Sequence, residues 1–137
     1  MDAKPRLFDL VRDRIRLKHY SYRTEQQYLA WIRRYILYHG RRHPTALGAP
    51  EIEAYLSHLA RDRNVAAATQ AQALSALLFL YRQVLNIELP WLDNIVRASR
   101  PKKLPVVLTP EEARAVIAHL PEVYWLIGNL LYGSGLR

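Results

Sequence analysis

The stretch AAATQAQALSALLFLYRQVL, residues 66–85, decides the fold. It is rich in Ala, Leu and Gln, which lose little on becoming helical, and it holds neither Gly nor Pro. Leu74, Leu77, Leu78, Tyr81 and Leu85 recur at helical spacing. This predicts one long helix whose apolar stripe needs covering.

Working outward, the chain upstream supplies the cover. Leu7, Leu10, Val11 and Ile15 repeat at helical spacing after Pro5, predicting a first helix over residues 5–18. Ser21 can cap a second, with the stripe Tyr28, Trp31, Ile32, Tyr35 and Ile36, until Gly40 ends it. Pro50 suits a helix's first turn and precedes the stripe Ile52, Tyr55, Leu56 and Leu59. Four amphipathic helices without a convincing alternating segment predict a compact all-α domain.

Downstream the character changes. Four prolines lie from Pro90 to Pro110, and SRPKKLPVVLT (99–109) cannot hold a helix. It reads as an extended basic connector carrying Arg100, Lys102 and Lys103. A fresh helix is expected at TPEE, with Thr109 as N-cap, Pro110 at its first position and Glu112 closing a capping box. A last apolar helix is expected over residues 122–131, with Gly133 in the left-handed conformation ending it. These two helices cannot bury themselves alone, so the second domain reads as cut short.

Composition narrows the chemistry. With 137 residues and half of them hydrophobic, a core can form. The absence of cysteine removes disulfides and thiolate metal sites. MDAKPRLFDL has no apolar run suited to a secretory signal, and no stretch is long enough to cross a bilayer. A soluble, cytoplasmic protein without membrane contact is expected. Residues 1–50 carry eleven Lys/Arg against four acids, whereas residues 51–100 hold five of each. A polyanionic partner at the basic end is one reading of that asymmetry, and a plain solvated basic surface is the other.

Most candidate active-site features dissolve. His39 and His43 are four apart, but Gly40 and Pro44 interrupt any helix through them, and no metal or other cofactor is expected. Glu111 and Glu112 suit the first turn of a helix, where acids complement its dipole. Ser134 in YGSG is not a nucleophile elbow. Better material lies where basic and short polar side chains interleave: Arg23, Thr24, Gln26 and Gln27 with Arg33 and Arg34 on the second helix, and Thr69, Gln70, Gln72 and Ser75 on the fourth. Gln can donate and accept at an adenine edge, Thr can touch a thymine methyl, and Arg can bridge phosphates. An ordinary polar face would look the same.

The terminal LLYGSGLR (130–137) has a more specific shape. An apolar helix runs into small residues, Leu136 can anchor the turn, and the planar fork of Arg137 can grip two phosphate oxygens. This box resembles the one bearing the first catalytic arginine of tyrosine recombinases, the phage-integrase family. SYRTEQQYLAWIRRYILYHG (21–40) resembles the opening of their core-binding domain and ALSALLFLYRQVLNIELPWL (73–92) its last helix. RPKKLPVVLTPEEARAVIAHL (100–120) is similar to their interdomain linker and first catalytic-domain helix, and the wording is most similar to integron integrases.

The resemblance implies a four-helix SAM-like core-binding domain over residues 1–88, a linker over 89–101, and the first two helices of a truncated catalytic domain over 102–137. It implies DNA as partner: att recombination sites, including folded single-stranded cassette sites, with a tetrameric synapse in the full-length enzyme and no cofactor. Arg137 would correspond to the first phosphate-binding arginine. The lysine, the H-x-x-R box and the tyrosine nucleophile are absent from these residues, so the chain is expected to be catalytically incomplete. A small basic helical regulatory or protein-interaction module is the rival reading. It explains the four helices and the charge, but not the linker, second capped helix and LLYGSGLR in register.

Overall fold

The computed structural model describes residues 5–135. Among these, helices run in the order α1 (Leu7–Leu17), α2 (Tyr22–Tyr38), α3 (Ala49–Arg61), α4 (Ala67–Phe79), α5 (Pro110–Ala118) and α6 (Glu122–Ser134). A 3-10 turn, Pro44–Ala46, precedes α3, and a π turn, Leu80–Val84, extends α4. No strand occurs among the described residues. The chain divides into two compact units, the boundary falling between Pro101 and Lys102.

In the first unit α4 packs against α2 and α3, while α1 packs against α2 and the π turn. Most residues facing inward are those the helical spacing selects: Val11 and Ile15, Trp31, Ile32 and Tyr35, Ile52, Tyr55, Leu56 and Leu59, Leu77 and Tyr81. On the fourth helix the stripe is turned from expectation, since Ala73 and Ala76 are buried while Leu74, Leu78 and Leu85 are half-buried. Leu10 departs from this pattern and is exposed. Burying an aliphatic side chain such as Ile32 or Leu56 stabilises the unit by about 1.5–3 kcal/mol. Ser21 caps α2, its hydroxyl accepting from the Thr24 backbone N–H over 3.2 Å, and Gly40 ends the helix at a φ of 68°.

The long helix expected over residues 66–85 is not uniform. The Leu85 N–H bonds back to the Leu80 carbonyl at 2.9 Å, five residues earlier, and Asn86 then takes a left-handed φ of 53°. Widening this turn helps three consecutive large side chains, Phe79, Leu80 and Tyr81, all to be buried. Tyr81 donates its hydroxyl hydrogen to the Pro44 carbonyl at 2.9 Å, which leaves Tyr35 to donate to the Tyr81 oxygen at 3.1 Å. Burial pushes the ionisation of both phenols upward, and the same cause pushes Tyr55 up to about 12.

One polar contact was not legible in the sequence. Glu25 is buried, and Arg16 of α1 donates to it through Nε at 3.1 Å and a terminal nitrogen at 3.3 Å. The fork ties the first two helices together, and the paired carboxylate raises the Arg16 pKa further.

In the second unit, Thr109 and Glu112 form the expected capping box: Glu112 accepts from the Thr109 N–H at 2.8 Å, and Thr109 accepts from the Glu112 N–H at 3.2 Å. The end of α6 differs from expectation. The helix continues through Gly133 to Ser134, and Gly135, at a φ of 64°, takes the left-handed position instead. The Ser134 hydroxyl donates to the Leu130 carbonyl one turn back.

Candidate nucleic-acid interface

The packing of α2 on α4 sorts the candidate residues. Arg23, Thr24 and Gln27 of α2 and Gln72 and Ser75 of α4 line one open hollow beside the first turn of α2. No carboxylate lines it. Arg23, Gln27 and Arg34 share one stripe of α2, while Gln26 and Arg33, also exposed, lie on a neighbouring stripe about 90° round the helix. Arg34 and Thr69 meet in a second, more apolar hollow, where Trp31 forms a wall.

Trp31 joins the two hollows. Its indole N–H donates to the Gln72 side-chain oxygen at 3.2 Å, and the Arg34 guanidinium lies over its ring, 4.9 Å from the centroid. An indole N–H can only donate, so the Gln72 atom facing it is the amide oxygen. The Gln72 NH₂ is therefore left to offer hydrogens outward. Ser75 is set the opposite way: its hydroxyl donates to the Ala71 carbonyl at 3.0 Å, leaving its lone pairs outward as acceptors. Among the described residues, Arg23 and Arg34 form no ion pair. The face thus presents cations, an amide donor and a hydroxyl acceptor, with the partial positive charge of an α2 N-terminus beside them.

Gln70 is a correction to the reading of α4 as a row of polar contacts. It is buried, its Nε2 donates to the Leu56 and Val96 carbonyls at 2.9 and 2.7 Å, and its Oε1 accepts from the Ala98 N–H at 2.9 Å. Both amide hydrogens are engaged, and no base edge can reach them. Helix geometry explains the difference, since Gln70 and Gln72 are two residues apart and so lie on nearly opposite sides.

The basic connector is also partly tied down. Leu89, Leu92 and Ile95 pack against the core, and the Val96 N–H donates to the Ser57 hydroxyl at 3.0 Å. Arg97 and Arg100 border a groove along Ala67 and Ala71 of α4. Lys102 and Lys103 begin the second unit and are exposed. Arg137 lies outside the described residues.

The histidines serve local structure. His39 bonds the Glu51 carbonyl at 2.9 Å, His43 accepts from the Thr45 N–H at 3.3 Å, and His58 pairs with Asp62 at 2.7 Å. Among the described residues no group of three or more His, Cys, Asp or Glu side chains stands ready to hold a metal ion. No helix among them is long and apolar enough to cross a membrane.

Comparison with known proteins agrees with this architecture. Residues 7–91 match the family described as phage integrase, N-terminal SAM-like domain. The chain is 49% identical over 132 residues to an integrase/recombinase of Escherichia coli and, equally, to one of Pseudomonas aeruginosa. Each alignment covers 96% of this chain and 39% of the relative, so the chain spans about two-fifths of their length. The crystal structure of XerA recombinase superposes with a TM-score of 0.56 at 21% identity, covering 91% of this chain and 44% of that one, and so shares its fold. An all-helical bundle with this match across most of its first unit is the N-terminal SAM-like domain of a phage integrase, and the chain belongs to the tyrosine recombinase family.

Proposed function

We propose that the α2–α4 face is the DNA-contacting surface of a site-specific recombinase of the integron type. The observation that carries this is the convergence of Arg23, Thr24, Gln27, Gln72 and Ser75 on one hollow without a carboxylate. Arg23 and Arg34 supply sequence-independent attraction to phosphates, as do Lys102 and Lys103 after the connector. Gln72 is suited to read an acceptor in the major groove, such as a purine N7, because Trp31 already holds its oxygen.

Covalent strand exchange by a tyrosine nucleophile belongs to this proposal for a protein of the relatives' full length. So do recognition of att sites or folded single-stranded cassette sites, a tetrameric synapse, and Arg137 as a scissile-phosphate ligand. The integron assignment rests on the wording of residues 21–40, 73–92 and 100–120.

Fluorescence anisotropy of labelled cassette-site duplex, titrated with the 137-residue chain at several salt concentrations, tests the surface. With about four phosphates neutralised, log K should fall with log salt at a slope of roughly −3 to −4. Arg23→Ala and Arg34→Ala should weaken binding to site and random DNA alike. Gln72→Ala should narrow the gap between them by ~1 kcal/mol. Binding indifferent to salt and to all three substitutions would remove this face from the DNA.

A further inference from the structure

The segment after the π turn, residues 86–101, has no regular secondary structure, yet its end is held by side chains rather than left as a free tether. Gln70 donates to the carbonyl of Val96 and accepts from the N–H of Ala98, the two backbone groups flanking Arg97. A side-chain amide here does what a neighbouring strand would do, gripping the chain at two points. Ser57 of α3 adds a third by accepting from the Val96 N–H, and the second Gln70 hydrogen is anchored on the Leu56 carbonyl. A glutamine bonded on three sides and almost wholly buried leaves the strap at residues 96–98 little freedom to shift.

What the strap carries gives this lock its consequence. Ala68, Ala71, Gln72 and Ser75 make up the exposed face of α4. On one side of that face stands Arg23 from α2. On the other stand Arg97 and Arg100 from the strap, bordering the groove beside Ala67 and Ala71. Neither strap arginine forms an ion pair among the described residues. The small side chains of α4 leave room for close approach, and the cations flank it as phosphate walls flank an element lying in a groove.

We infer that Gln70 and Ser57 are positioning residues for DNA binding, fixing the strap so that Arg97 and Arg100 form a second cationic edge along α4. The inference rests on the α2–α4 face being the DNA surface. Gln70 touches no DNA; it acts through the two arginines.

The test uses the whole chain with Gln70→Met, which keeps volume and loses the hydrogen bonds, and Ser57→Ala, which loses only the strap contact. Hydrogen exchange at the Val96 and Ala98 amides and tryptic cleavage after Arg97 read the lock without DNA. Ala98 exchange and cleavage should rise by roughly tenfold or more in Gln70→Met and less in Ser57→Ala, whereas Val96 exchange should rise most directly in Ser57→Ala, which removes its acceptor, while α2 and α3 amides stay protected. Unchanged exchange and cleavage in both variants overturn the lock, whatever the DNA result.

DNA binding then reads the positioning. Gln70→Met should make the salt slope shallower by about 1 to 2, the contribution of one or two phosphates. In a background already carrying Arg97→Ala and Arg100→Ala, Gln70→Met should cost nothing further, whereas general destabilisation would subtract equally in both backgrounds. Equal losses in both backgrounds, or a released strap with an unchanged slope, overturn the positioning role. Wild-type chain that fails to bind DNA overturns the proposed surface and the positioning together, and leaves the lock to stand or fall on its exchange data. If Gln70→Met fails to fold, the same cycle is run with Ser57→Ala.

Discussion

The first unit and the α5–α6 pair carry similar apolar stripes and end with opposite burial. In the first unit Ile15, Ile32, Ile52, Leu56 and Leu77 are fully enclosed. In α5 and α6 no residue is buried, and Val123, Tyr124, Trp125, Leu126 and Ile127 all face outward. What contact the pair has is close: a Cβ added at Gly128 would stand 3.1 Å from the Leu120 side chain. An apolar stripe states that a helix wants a partner, and packing states whether it has one. The first unit therefore rests on an enclosed core, while α5 and α6 rest on local bonding and the open contact of Ile117 and Leu120 with Gly128.

The largest expected effect follows directly. Leu56→Ala should cost ~2–5 kcal/mol, because it removes a fully buried side chain and leaves a cavity. Leu126→Ala, with 56% of its residue surface exposed, should change stability by no more than about 0.5 kcal/mol. Urea unfolding followed by far-UV circular dichroism measures both. A loss of similar size at Leu126 would break the contrast between the units.

The phenols sharpen it on a different axis. Burial raises the ionisation of Tyr35, Tyr55 and Tyr81, with Tyr55 pushed up to about 12. In the unfolded chain these groups ionise near pH 10, so the folded state binds more protons above that point and stability must fall as pH rises. Stability from this source is fully present below about pH 10 and is lost on passing through the raised values. Tyr81→Phe should also cost about 1–3 kcal/mol at neutral pH, since the Pro44 carbonyl and the Tyr35 hydroxyl each lose their partner. Absorbance at alkaline pH should show the buried phenols Tyr35, Tyr55 and Tyr81 ionising only as the fold gives way. Ionisation of these three phenols near pH 10, ahead of unfolding, would mean the first unit is as open as α5–α6.

How far the sequence revealed this molecule depends on the kind of contact involved. Helical spacing exposed the stripes, and Ser21, Gly40 and the Thr109–Glu112 box marked helix ends, because these are local rules. The Arg16–Glu25 fork and the Tyr35–Tyr81–Pro44 chain join residues distant in sequence, and no periodicity records them. Of the site, Arg23, Thr24, Gln27, Gln72 and Ser75 converge, but their convergence depends on how α2 crosses α4. Gln70 is different, since its burial was readable. It lies three and seven residues before Ala73 and Leu77, on the inward stripe, and two residues from Gln72 on the other side. The proline-rich connector has no helix, as expected, but prolines forbid a helix without forbidding contact, and Leu92, Ile95 and Val96 still find the core or its side chains.

The smallest expected effect compares the caps. Ser21 and Thr109 each accept a backbone N–H three residues on, so each replacement by alanine should cost ~1 kcal/mol. The consequences should differ because the two helices are held differently. Trp31, Ile32 and Tyr35 keep α2 in place after its cap is lost, and the whole first unit shares the penalty. The α5 helix has nine residues and no buried side chain, short of the length at which an isolated helix persists in water. There the same ~1 kcal/mol acts on a local equilibrium and shifts it about fivefold toward coil. Amide exchange across residues 113–117 should therefore accelerate several-fold in Thr109→Ala, and Thr109→Ser should restore it. Exchange in the middle of α2 should barely change in Ser21→Ala. Equal acceleration in both helices would show that α2 depends on its cap as much as α5 does, and that the core contributes less to holding it than its burial implies.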